Sequence, residues 1–327
     1  MTPRIPPRSR RGVLRAVLLT SLLAGMTARA EEEVESLTLA FGWRAGIDAR
    51  AETFKGRRRS VDGTVQEESE LRVAYQLRTR FGNLARLRVV HEGLAVAPDD
   101  AVAPETAIKE LAQLAPLAAD FEIDGEGGFL SIVDRGTASD RLSRALGVLV
   151  GPDGTAPPNA ARVLDSLSSE GMLTARASDR WSTLIGAWAG RTLEVGNFFE
   201  SRGAAPHPAL PSASVPMSYL FGIESRTGCS DPEGPPDCVL LRLVTTLEAE
   251  DMREATRTII ERIDASRLPA GFAETEIASR TDVTVIADPE TLLPYYFEHR
   301  RTIEVTGPDG TQEQEEYERT IYHHGER

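Results

Sequence analysis

Five histidines, two cysteines and one tryptophan-bearing segment are the residues of this chain with the types and spacing to do chemistry. His299 lies in Tyr295-Tyr296-Phe297-Glu298-His299-Arg300-Arg301, where strand alternation puts Tyr295, Phe297, His299 and Arg301 on one face. There it is either a ligand-facing acid or base or one member of a cross-strand pair that only stabilises the sheet. His323-His324 lies three residues from the C-terminus, where chains fray, so weak adventitious metal binding is the most it offers. Cys229 and Cys238 are separated by eight residues, with no histidine close in sequence. That spacing is not C-x-x-C, and the turn-forming insert Ser-Asp-Pro-Glu-Gly-Pro-Pro-Asp brings its ends together, so a structural disulfide is expected. A ring this short stabilises by about 2.5–3 kcal/mol, less any strain.

The familiar catalytic signatures are missing. There is no Gly-x-Ser-x-Gly elbow, P-loop, dinucleotide fingerprint or His-Glu-x-x-His. Asp124-Gly125-Glu126-Gly127-Gly128 has two carboxylates but not the oxygen ladder of a calcium loop, so it reads as a solvated hairpin tip. No catalytic residue, metal ligand or cofactor site is assigned. Trp181, Leu184, Ile185 and Trp188 share one helix face, either as core packing or as the wall of an apolar cavity between helices and sheet. These four are the candidate ligand-binding residues.

The elements that must position these groups announce themselves by period. Leu37, Leu39, Phe41, Trp43, Ala45 and Ile47 alternate as in a strand, with Gly56–Gly63 as the connection to the next. That next strand is the clearest: Leu71, Val73, Tyr75, Leu77, Thr79 and Phe81 face one way, and charged or small residues the other. One wet face implies an antiparallel sheet. Residues 84–91 continue as strand, and Phe121–Ile123 and Phe129–Val133 form a hairpin. Helical spacing appears at Ile108–Ala115, Leu142–Leu149, Ala160–Leu167 and Trp181–Trp188, with Ser178 as an N-cap and Gly171 and Gly190 as C-caps. The proline-punctuated segment Gly203–Pro216 reads as a loop. Met217–Ser225 and Val239–Thr246 are strands, and Asp251–Glu254 resembles a capping box opening the best helix. Thr281–Ala287, Tyr295–Val305 and Gln312–Tyr322 return to strand, the last two joined by a Gly307-Pro308-Asp309-Gly310 turn.

The N-terminus has a different character. Residues 1–30 hold six arginines and no acid, then an apolar run Ala16–Ala24 and Ala28-Arg29-Ala30, followed by Glu31-Glu32-Glu33. This is the pattern of a cleaved export signal ending at Ala30, and its apolar run is too short to cross a bilayer. Ser9-Arg10-Arg11-Gly12-Val13-Leu14-Arg15 resembles the twin-arginine export motif, with ordinary secretory export as the alternative. A lipobox-like Leu22-Leu23-Ala24-Gly25-Met26 has methionine where lipidation needs cysteine, so no lipid anchor is expected. Removing the segment takes six of 37 basic residues and none of 50 acidic ones, so the net charge goes from −13 to −19. Nucleic acid and anionic membrane are disfavoured as partners.

The expected architecture is a single α+β domain over residues 31–327, a large curved antiparallel sheet, half-barrel-like, with several amphipathic helices packed on one face. The signal, the element order, the long final hairpins and the Asp288-Pro289-Glu290-Thr291-Leu292-Leu293-Pro294 turn make the chain similar to periplasmic lipoprotein-carrier and lipoprotein-chaperone proteins. That resemblance implies a half-barrel with helices on its concave side and transfers no binding residue. The leading expectation is an exported, non-enzymatic envelope protein, periplasmic or extracellular, that binds an apolar, lipid-like ligand or a partner protein between sheet and helices. The alternatives are a periplasmic hydrolase assembled from distant residues, with His91, His207 and His299 as candidates, and a structural interaction module presenting the proline-rich segment.

Overall fold

The computed structural model describes residues 35–82, 86–98, 104–150, 169–207, 210–230, 237–264, 272–308 and 310–325. The export signal with its cleavage point and the helix at Ala160–Leu167 lie outside the described residues. Thirteen strands are described: β1 (Ser36–Thr38), β2 (Asp48–Val61), β3 (Thr64–Phe81), β4 (Leu87–Pro98), β5 (Phe121–Ile123), β6 (Phe129–Ile132), β7 (Thr192–Glu194), β8 (Phe198–His207), β9 (Leu210–Thr227), β10 (Cys238–Leu247), β11 (Glu276–Ala287), β12 (Pro294–Gly307) and β13 (Gly310–His324). The α-helices are α1 (Pro104–Gln113), α2 (Arg135–Val150), α3 (Glu170–Trp181) and α4 (Ala249–Asp264).

Eleven strands form one open antiparallel sheet in the order β6-β5-β4-β3-β2-β13-β12-β11-β10-β9-β8, and β1 pairs with β7 apart from it. The order is two meanders running away from a shared seam. β2 to β6 step one way and β13 back to β8 the other, so the β2–β13 ladder alone joins the two halves of the sheet.

Alternation explains β3: Leu71, Val73, Tyr75, Leu77 and Thr79 are buried. The opposite face of β2, β3 and β13 is laced with charge. Arg72 and Arg50 both reach Glu52 at 2.6 Å, and the Arg72 and Arg319 guanidiniums lie over the Phe54 ring at 5.6 and 4.8 Å. Exposed pairs of this kind add little stability each, but they mark a face in contact with water. Among the described residues no helix is long and apolar enough to cross a membrane.

The α+β class holds, but the helices do not form a layer packed on one face, which corrects the expectation. α1, α2 and α3 gather around β3–β6 in a large core that includes Leu71, Val73, Leu111, Leu142 and Leu173. α4 packs apart, against β9 and β11, in a smaller core of Val215, Leu247, Met252, Phe272 and Ile277. The reason is chemical. Between these groups the strands present Lys55, His299, Arg301, Glu316 and Glu318, and an amphipathic helix has no apolar partner there to bury its stripe against.

Several local readings also change. Of the Leu37–Ile47 run only Leu37 and Thr38 are strand, within β1. Leu39 and Trp43 are buried, yet the backbone bonds go to loops: Leu39 N–H donates to Arg191 O at 2.8 Å and Gly42 N–H to Thr291 O at 3.1 Å. The alternation there reports burial, not ladder pairing. The Gly56–Gly63 stretch is strand for most of its length, since β2 runs through Val61 and the turn is only Asp62-Gly63, both at positive φ. Arg57 and Arg59, which hide the period, pair with Gln314 and Gln312 across the seam. The Gly203–Pro216 segment belongs to an edge hairpin of β8 and β9: Pro216 opposes Ala204 just beyond Met217, the last β9 partner of β10, where no second ladder needs its missing N–H. Ser178 and Gly171 lie inside α3, which begins after Ser169 with no side-chain cap bond, and α4 starts two residues before Asp251.

The disulfide is formed: Cys229 and Cys238 bridge the ends of β9 and β10 with Cα atoms 5.0 Å apart. The C-terminal strand does not fray at His323-His324. β13 continues to His324, whose Nε2 donates to the Pro294 carbonyl at 2.7 Å and whose ring meets Tyr295 at 4.8 Å.

Candidate ligand cleft

α3 and the turn after it carry the four predicted residues. Glu170 in its first turn suits the helix dipole, and Leu173, Ala177 and Trp181, four apart, form the buried stripe. The helix then widens into a π-turn, Ser182–Gly186, in which Ala187 N–H donates to Ser182 O at 2.7 Å. This turn lets Leu184, Ile185 and Trp188 all point into the core. Trp181 meets Trp43 and Phe121 edge-on, both at 5.2 Å, and its indole N–H donates to Gly127 O at 2.7 Å. Trp188 is fully buried and donates to Thr183 O.

Trp181 and Leu184 wall an apolar cavity with Tyr75, Leu77, His91 and Phe121; Ile185 and Trp188 do not line it. Its volume is about 20 Å³, room for about one water and not for a lipid chain. Two of its walls, Pro116 and Arg180, also line a second, open cleft of about 370 Å³. That cleft holds Lys55 of β2, Arg176, Asp179 and Arg180 of α3, Phe297, His299 and Arg301 of β12, and Glu316 and Glu318 of β13.

Arg180 organises the junction. It forms an ion pair with Glu318, donates to Thr320 Oγ1 at 3.2 Å, and lays its guanidinium over the Phe297 ring at 5.1 Å. Lys55 is 5% exposed. Burial pushes its ammonium below the usual lysine range, against the opposing pull of Glu110 and Glu316. Burial, helped by Lys55, Arg180 and Arg301, lowers the His299 imidazole to about 4, so it is neutral at physiological pH.

Of His91 and His299, the two singled-out histidines whose side chains are described, His299 faces this cleft. His91 faces the small cavity, its Nδ1–H donating to Ala119 O at 2.9 Å and its ring between Tyr75 and Phe121. The His207 side chain lies outside the described ones. The glycine tip closes on itself, Asp124 Oδ1 accepting from Glu126 and Gly128 N–H at 2.9 and 2.7 Å.

No sequence motif singles out Lys55, Arg180, Arg301 and Glu318, because they come from four elements. One signal was available: the β12–β13 turn sets the register His299 opposite Glu318 and Arg301 opposite Glu316. Those four side chains therefore share one face with Phe297. The cleft so built is lined mostly by charged and polar side chains, with Phe297 and Pro116 as its apolar ones, and it shares Pro116 and Arg180 with the small cavity beside Trp181. No protein-family model matches the chain, and no curated protein matches it.

Proposed function

We propose that this is an exported, non-enzymatic binding protein of the cell envelope that holds an amphipathic, lipid-like ligand in the cleft between β2, β12, β13 and α3. The observation that carries this is the shared wall: Arg180 and Pro116 line both the apolar cavity and the charged cleft, so a ligand held in the cleft would lie against the apolar core as well as the charged side chains. The cleft is the seat, since the cavity alone is too small. Lys55, Arg176, Arg180 and Arg301 receive the polar head, and Phe297 and Pro116 the first apolar atoms. Export is supported by the N-terminal signal pattern and by the Cys229–Cys238 bridge, which persists in oxidising compartments. The open antiparallel sheet with long final hairpins is in keeping with the resemblance to lipoprotein carriers.

The test is native mass spectrometry of protein gently extracted from the envelope, followed by titration with a long-chain fluorescent fatty acid. The expected result is a co-purifying amphiphile that Phe297→Glu and Lys55→Met each release. Absence of both a retained lipid and probe binding overturns the reading. One observation favours a hydrolytic alternative: neutral His299 stands across from Glu318 in an open cleft. Ester hydrolysis lost in His299→Ala would favour that alternative; hydrolysis unchanged by the substitution rules out this histidine as its base.

A further inference from the structure

The sheet is open, and β8 is its last strand, so one side of this ten-residue strand presents backbone N–H and C=O groups that no described strand of the chain meets. The other edge, β6, is only four residues long. A long free edge is a template for another strand unless it is covered or blunted. Phe199, Glu200, Ser201, Arg202, Gly203 and Ala204 are all exposed, Phe199 at 44%.

The residues along this edge are complementary to themselves. Antiparallel pairing of two copies about Ser201 puts Glu200 of each opposite Arg202 of the other, and Phe199 of each opposite Gly203 of the other. Shifting the axis to Glu200 sets the two glutamates against each other, and shifting it to Arg202 sets the two arginines against each other. Axes between residues pair Glu200 with Ser201 or Gly203. Only the Ser201 register matches opposite charges twice, and like charges directly opposite destabilise a ladder. Within the chain neither charge has such a match across β9, where Glu200 opposes Leu220 and Arg202 opposes Ser218. A Cβ at Gly203 would meet the Tyr219 hydroxyl, which lies over that glycine.

We propose that two copies of this protein associate through β8, antiparallel about Ser201, so that the sheet continues from one copy into the next. The contact lies away from the charged cleft, none of whose lining residues belongs to β8. It stands whether or not a ligand binds there.

Sedimentation equilibrium of the exported protein across micromolar concentrations reads this directly, with circular dichroism confirming that each variant is folded. A reversible dimer is expected. Arg202→Glu and Glu200→Arg should each raise its dissociation constant roughly tenfold or more, and the double swap Glu200→Arg/Arg202→Glu should restore it. Ser201→Cys should give a covalent dimer with a short bis-maleimide, and Met172→Cys on the exposed start of α3 should not. A monomer at every concentration, or a dimer indifferent to the single charge changes, overturns the proposal.

Discussion

Thr53 Oγ1 and Thr320 Oγ1 lie 2.7 Å apart, both fully buried, and tie β2 to β13 across 267 residues of chain. The same Thr320 hydroxyl accepts from Arg180, so one hydroxyl serves both the sheet seam and the cleft. Thr320→Val keeps the shape but leaves the Thr53 hydroxyl and an Arg180 donor without it, a cost of about 1–3 kcal/mol. Thr53→Val/Thr320→Val should cost less than the sum of the single changes. Urea unfolding with an unchanged slope and a shifted midpoint is the measurement.

Trp181 pins α3 to the β5–β6 hairpin through its ring contacts and its bond to Gly127 O. Trp181→Ala should destabilise by about 3–5 kcal/mol as a large core truncation. Trp181→Phe keeps most of the packing and loses the hydrogen bond, about 0.5–1.5 kcal/mol together with some cavity cost. Thermal unfolding that ranks the two the other way would show that the ring does not hold this corner together.

Acid should weaken the fold through two histidines. His91 and His299 are both lowered to about 4, in each case chiefly by burial, against about 6.5 in an unfolded chain. The unfolded state therefore takes up protons first. Their contribution is complete above about pH 6.5 and is lost as the pH falls towards 4. Each tenfold difference in proton affinity between the two states is worth about 1.4 kcal/mol, which makes the contribution on the order of 3 kcal/mol for each histidine. Stability measured from pH 7 to 4 should fall along this window, and His299→Gln should flatten its share of the slope.

Cys229–Cys238 closes a short ring between β9 and β10, with Cys238 fully buried. Cys229→Ser/Cys238→Ser should lower stability by about 2.5–3 kcal/mol, and reducing agent should do the same to the native chain. A double variant as stable as the parent would mean that ladder bonds alone hold this end of the sheet.

Legibility in the sequence followed the range of the interaction. β3, the β5–β6 and β12–β13 hairpins, α1 and the disulfide were readable because alternation, apolar stripes and turn residues act over a few positions. Where a local signal had two meanings it misled. Leu39 and Trp43 alternate in burial without pairing in a ladder, and the prolines of the β8–β9 hairpin are acceptable only because the sheet ends there.

What the residues alone determined was therefore the class of the parts: antiparallel strands, amphipathic helices, one staple and an export-like N-terminus. Only tertiary pairing decided the site. Lys55 meets Glu316 and Glu318 in the cleft because β2 lies beside β13, an adjacency between strands more than 200 residues apart that no local periodicity encodes. It forms because each meander has one long strand left to pair, and joining them satisfies both rows of backbone groups at once.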